Sequence, residues 1–359
     1  MSTKLSHSQI SRYQQCGKSY YYHYIAKIRP SIQSAALCFG TALDNALNEL
    51  LVPTNKTPEQ VFLESFKCQT VNNKLVELPT NTDLVYAETD YDAELLTEED
   101  KDAMDLYFKG ENGFAIYEEL RKLKKEKGFE NLSIKQKQDY NFMNWLSLKN
   151  KGLLMLKAYR KKVLPKILKV HEVQRYVSLE NGIGDKIIGY VDLVADIEGH
   201  GTCILDHKTS AREYEEDSVL SSPQLSLYMH ILEGEYKTRK AGYIVLRKQV
   251  IKNRKKTCSV CGHDGTGGRH TTCNAIVSGK RCGGEWHEEI DPDIGIQFIV
   301  DEIPHMTEEI VITNYDEVNK AIKAELFHRN FNSCDNVYGA PCPYRNLCFK
   351  GSKKGLTEF

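Results

Sequence analysis

Apolar positions along Ile187–Ser210, IIGYVDLVADIEGHGTCILDHKTS, predict two strands joined by a turn. Ile187, Ile188, Val191, Leu193 and Val194 dominate the first; Cys203, Ile204 and Leu205 open the second. Glu198-Gly199-His200-Gly201 between them is a turn signal. Val170–Leu179 predicts a strand before this pair, and Ala241–Val250 and Ile294–Glu302 predict two after it. Helical spacing governs much of the rest. Ser6 or Ser8 can cap a helix through Arg12 and Tyr13, and Ala36–Leu50 carries apolar residues at helical spacing. Thr57 caps another helix, with Pro58 at its first position and Gln60 completing a capping box. Thr97–Leu168 is mostly helical in pattern, so 52–168 reads as a helical insertion ahead of the sheet. Ser222-Pro223 starts a helix with Gln224 and Tyr228 one turn apart. Leu75–Tyr91 lacks periodicity and reads as loop, as does Glu213–Val219. The chain is predicted to be α/β.

The central hairpin also carries charge where apolar residues prevail. Asp192 lies on its first strand and Asp206 on its second, with Lys208 two residues on and therefore on the same face as Asp206. Two carboxylates brought together by a hairpin make a hard-oxygen pocket for Mg²⁺ or Mn²⁺. A lysine beside it can orient a water or stabilise charge building on a phosphate. Earlier in the chain Asp44 lies one helical turn beyond Gly40, where a glycine permits close backbone approach.

Composition narrows the class. The chain has 359 residues, 41% hydrophobic and 27% charged, the values of a soluble globular protein with one large domain or two ordinary ones. No apolar run is long enough to span a bilayer, and the N-terminus MSTKLSHSQI is not a signal peptide, so a cytoplasmic setting in a bacterial or phage-infected cell is expected. A net charge of −1 gives no global pull toward nucleic acid, but Arg121–Lys127, Lys157–Lys169 and Arg247–Lys256 are basic runs. The faces that include Arg160, Lys161 and Lys162 can line a path for DNA, and each equally reads as a solvated surface.

Eleven cysteines in a reducing compartment point to metal or cluster binding. Cys258-x-x-Cys261, Cys273 and Cys282 fall in an insertion at 251–290 between two predicted strands. Four thiolates satisfy tetrahedral Zn²⁺ and leave no open position, which predicts a small structural zinc ribbon with His263, His270 and His287 as substitute ligands. Cys38, Cys68 and Cys203 read as buried small hydrophobes.

These motifs, in this order, resemble the PD-(D/E)XK nuclease superfamily, in the RecB-like branch that includes the AddB nuclease domain and CRISPR-associated and phage exonucleases. Ser8, Tyr13 and Cys16 are similar to the branch's N-terminal helix, and Gly40–Asp44 to its next motif, where many members place a metal-binding His. Gly189–Asp192 resembles its Gly-x-x-Asp motif, Asp206-His207-Lys208 its (D/E)-x-K motif, and Gln224–Tyr228 its Gln-x-x-x-Tyr helix. The resemblance implies a single RecB-like domain over 1–359 with a mixed central sheet. It implies Asp192, Asp206, Asp44 and Glu172 around Mg²⁺ or Mn²⁺, with Lys208, Gln224 and Tyr228 completing the catalytic set. It further implies a 4Fe–4S cluster on Cys16, Cys334, Cys342 and Cys348, the last three forming a C-terminal staple at 330–350; chemically the same thiolates can hold zinc. The expected activity is DNA exonuclease action in recombination or repair, with DNA and a single-strand annealing protein or helicase as partners and no membrane. A catalytically silent DNA-binding module and a scaffold of the same fold are the rival readings.

Overall fold

The computed structural model describes residues 4–71, 74–86, 96–180, 186–265, 272–335 and 341–358. In chain order the elements used below are β1 (Lys4–Ser6), α1 (His7–Gln15), α2 (Ala36–Leu51), α3 (Pro58–Lys67), α4 (Glu98–Phe108), α5 (Gly113–Lys127) and α6 (Ile134–Lys162). They continue with β2 (Ile167–Glu180), β3 (Lys186–Ile197), β4 (Gly201–Ser210), α7 (Pro223–Tyr236), β5 (Lys240–Cys258), β6 (Trp286–Glu302), α8 (His305–Lys323) and α9 (Arg345–Lys350). Shorter pieces are given by range.

The long strands lie in the order β2–β3–β4–β5–β6. β4 and β5 run parallel and the other long neighbours antiparallel, so the sheet is mixed. β3 has β2 along one edge. Its other edge is shared, with β1 parallel to Lys186–Ile188 and β4 antiparallel to Leu193–Ile197. Gly189 to Asp192 therefore sit in a fork where β3 has left β1 and not yet met β4. Beyond Leu205, β4 pairs only with β5. The hairpin turn lies where the sequence places it, with Gly199 and Gly201 at φ of 75° and 74°, a conformation most cheaply met by glycine.

Each face of the sheet is covered. α2, α3 and the C-terminal half of α6 bury Leu193, Ala195 and Ile197 on one side. α1, α7 and α8 bury Ile187, Val191 and Val194 on the other. Removing one such fully buried aliphatic side chain costs about 2–5 kcal/mol. A third cluster joins α4, α5 and the start of α6 into a helical lobe, and α6, 29 residues and about 43 Å long, ties lobe to core. Local chemistry fixes the helix starts: Ser6 with Gln9, Thr57 with Gln60 and Ser133 with Gln136 form capping boxes.

Two expectations change. Lys74–Glu77 is not loop but pairs antiparallel with Cys68–Val71, and Leu84–Val85 pairs with Gln33–Ser34; residues 87–91 of that stretch lie outside the described residues. The 251–290 insertion is mostly an extension of the sheet, since β5 and β6 stay paired from Val250↔Ile294 to Cys258↔Trp286. The lysines and arginines of this arm hid the strand from apolar periodicity. Across the ladder they meet acids, Arg254 bonding Glu288 at 2.8 Å.

Candidate active site and metal centres

The fork in the sheet gathers the candidate catalytic residues. Asp192 Oδ2 accepts the His207 backbone N–H at 2.8 Å, bridging β3 and β4 where their own ladder has stopped. Asp206 is buried, and Lys208 Nζ stands 2.5 Å from its Oδ2. From α7, Gln224 Nε2 donates to Asp206 Oδ1 at 2.9 Å and to the Tyr228 hydroxyl at 3.0 Å, while its Oε1 accepts from Lys208 at 3.2 Å. Ser222 caps that helix and Pro223 opens it, which sets the turn on which Gln224 and Tyr228 face the sheet.

Gly189 has a steric reason. A Cβ there would lie 2.7 Å from Tyr228 Cε1, so the glycine of one motif makes room for the tyrosine of another. Gly40 has none of this kind: a Cβ on it would meet nothing within 4 Å, which corrects the expectation of close backbone approach.

Electrostatics binds Asp44 to the group. Burial, then the nearby Asp192 and Asp206 carboxylates, push its carboxyl up to about 7. Burial raises Asp206 to about 6 and raises Asp192 as well. Burial opposes the Lys208 ammonium, but Asp206 and Asp192 outweigh it and hold the group above the ordinary lysine range. Buried Asp206 with half-buried Asp44 and Asp192, where Asp192 and Asp206 raise Asp44 and Asp192 raises Asp206, and the Lys208 ammonium beside them form a hard-oxygen donor set suited to a divalent ion.

Glu172 Oε1 accepts from Arg175 at 2.9 Å. Also from β2, Gln174 donates to Asp192 Oδ1 at 3.2 Å. Gln174 has φ of 53°, rare for a residue with a side chain and a local strain within a strand. His207, buried and lowered to about 4 by that burial, bonds the Tyr159 hydroxyl at 2.9 Å and so anchors β4 to α6.

At the tip of the β5–β6 arm, Cys258 Sγ lies 3.6 Å from Cys282 Sγ and Cys261 Sγ 3.7 Å from Cys273 Sγ. The four sulfurs all fall within 4.8 Å of one another. A tetrahedral Zn²⁺ with Zn–S near 2.3 Å requires S···S separations of about 3.8 Å. Gly262 (φ 67°) and Gly283 (φ 65°) turn the chain after Cys261 and Cys282, and backbone N–H groups of Cys261 and Val260 pull the Cys258 thiol down to about 6. His263 and His287 are not in the cluster, and His270 lies outside the described residues.

The two chain ends meet. Lys18 N donates to His328 O at 2.8 Å, Asn330 Nδ2 to Gln15 O at 3.0 Å, and Leu356–Glu358 pairs with Ile28–Pro30. Cys16, Cys334, Cys342 and Cys348 line one small cavity at this junction. Cys342 N donates to Cys334 O at 3.0 Å, which draws those two cysteines together.

Some side chains of the expected basic faces are tied to acids. Arg160 bonds Glu59 at 2.9 Å and Lys162 bonds Asp293 at 2.7 Å. Among the described residues no helix is long and apolar enough to cross a membrane.

Comparison with curated proteins finds none that matches the chain. A family model does match, over residues 4–349, and that span takes in the fork, the cysteine tip and Cys16, Cys334, Cys342 and Cys348. The chain belongs to the PD-(D/E)XK nuclease superfamily.

Proposed function

We propose that the chain is a divalent-metal-dependent DNA exonuclease of the RecB-like kind, hydrolysing phosphodiester bonds in recombination or repair. The observation that supports this best is the joining of Asp192, Asp206 and Lys208 at the fork with Gln224 bridging the last two. An intact set of this kind argues against the silent-module and scaffold readings.

Asp192, Asp206 and Asp44 are the residues that would hold Mg²⁺ or Mn²⁺. Such an ion supplies Lewis acidity and lowers the pKa of a bound water. Lys208 stays protonated beside Asp206 and therefore acts as a fixed positive charge, stabilising the phosphate as negative charge builds on it and water replaces the leaving 3′ or 5′ oxygen. Gln224 keeps Lys208 and Asp206 in mutual register, and Tyr228 holds Gln224. The tip cysteines would hold one structural zinc. Cys16, Cys334, Cys342 and Cys348 would hold a 4Fe–4S cluster, or a second zinc, across the clasp. The RecB-like motif order supports exonuclease action, a phage or bacterial setting, and a helicase or single-strand annealing partner.

End-labelled linear DNA and covalently closed circular DNA of the same sequence, each with Mg²⁺ or EDTA, test the reading. Linear DNA should be degraded from an end and the circle spared. Cleavage of the circle at a comparable rate would make the enzyme an endonuclease, and no cleavage of either would remove the catalytic reading.

A further inference from the structure

β2 and β3 continue past Asp192 toward β1. Val177 and Leu179 of β2, and Ile187 and Val191 of β3, turn to the side packed by α7 and α8, as does Gly189 beneath Tyr228. The residues between them turn the other way. There Tyr176 is 45% exposed and Tyr190 56% exposed, and the two face each other across the ladder with ring centroids 5.4 Å apart and planes at 62°. Ser178 and Glu180 are exposed beside them. Farther along, Lys186 pairs in register with exposed Lys4 of β1.

A cross-strand aromatic pair stabilises a sheet and by itself asks for no ligand. Position gives this pair a second meaning. Tyr190 lies two residues before Asp192 on β3, about 7 Å along the strand, the reach of one unstacked nucleotide. Lys4 and Lys186 lie on the far side of the rings from Asp192, where a phosphate chain leaving the site would run. Lys186 is ion-paired with Glu180 at 2.5 Å, but both are open to solvent, so that pairing is weak and exchangeable. Glu180 opposes an anion on this track and places the phosphates nearer Lys4.

We propose that Tyr176 and Tyr190 form a stacking platform that receives the single-stranded end of the DNA substrate one nucleotide from Asp192. This rests on the nuclease reading. Every base has a π-face, so such a platform grips any sequence. A base-paired duplex hides those faces between its own bases, so the platform selects unpaired ends.

Binding of a fluorescein-labelled oligo-dT and of a blunt duplex, each by anisotropy in EDTA, tests this. Tyr176→Ala/Tyr190→Ala should weaken oligo-dT binding at least about tenfold and leave duplex binding within about twofold. Tyr176→Phe/Tyr190→Phe should bind both within about twofold of wild type, and it also controls for misfolding of the alanine variant. Oligo-dT binding undiminished in the alanine variant, equal weakening on both DNAs, or the same loss in the phenylalanine variant would each overturn the platform. Cleavage by wild type in Mg²⁺, run alongside, separates the two ideas. Inert wild type with alanine-sensitive oligo-dT binding sinks the nuclease reading and keeps the platform. Active wild type with alanine-insensitive binding does the reverse.

Discussion

The fork and the arm tip both gather metal-binding side chains, and they do it by opposite means. The carboxylates come from α2, β3 and β4, positions 44 to 206, and nothing local relates them. Only the finished sheet, with both helical layers packed, brings them together. The thiolates lie within Cys258–Cys282, close to one another in sequence and at the end of a two-stranded arm. Hard oxygens are buried at a cost, Asp44 and Asp206 being pushed up to about 7 and about 6. Soft sulfurs sit on a small loop with little apolar packing of its own. The fold holds the first centre, whereas the second centre holds its own piece of fold.

The sharpest way to break that comparison is Asp206→Asn. It keeps the side chain's shape and removes the charge, so cleavage should fall by about a thousandfold or more while the protein still folds. Cleavage within about tenfold of wild type would show that Asp206 does not belong to the reacting centre.

The arm should respond the other way. Cys258→Ser/Cys261→Ser should lose one equivalent of zinc by elemental analysis and become open to protease between the arm strands. The main melting transition should move by no more than about 3 °C, since no described residue of the arm tip belongs to the sheet's two core clusters. Unchanged zinc content would refute the ligand assignment. Collapse of the whole fold would refute the claim that the tip is a local unit.

What the sequence made legible follows the same division. The Glu198–Gly201 turn, the capping box at Thr57, the Ser222-Pro223 helix start and the Cys258–Cys261 knuckle are local devices whose physics lies within a few residues. Asp206 and Lys208 were readable as neighbours because strand alternation alone puts them on one face. The Lys74–Glu77 strand was not readable, because its partner Cys68–Val71, not its own pattern, makes it a strand. The length of β5 was hidden in the same way, since Arg254 and Lys256 owe their place to Glu288 across the ladder. Gln174 shows the limit most clearly. Nothing in VHEVQRYVSL signals a left-handed residue, and only the approach of Asp192 gives that conformation a use.

Two motif glycines give the finest test, because the same residue type stands at both for different reasons. Gly189→Ala places a methyl 2.7 Å from the Tyr228 ring, inside a packed layer. The ring must shift, which should cost about 1–3 kcal/mol of stability and carry Gln224 out of register with Asp206 and Lys208. Gly40→Ala meets open space and replaces a helix-interior glycine, so it should gain about 1 kcal/mol, about 2 °C in melting temperature. Opposite signs in two thermal melts would confirm that packing against Tyr228, and not a general need for backbone freedom, holds Gly189 in place. If Gly40→Ala melts higher yet cleaves more slowly, the open space beside α2 is occupied during the reaction, and the methyl intrudes on the substrate, not on the protein. Equal destabilisation at both positions would mean that α2 approaches the sheet more closely than the open space at Gly40 allows, and the placing of Asp44 against Asp192 and Asp206 would have to change with it.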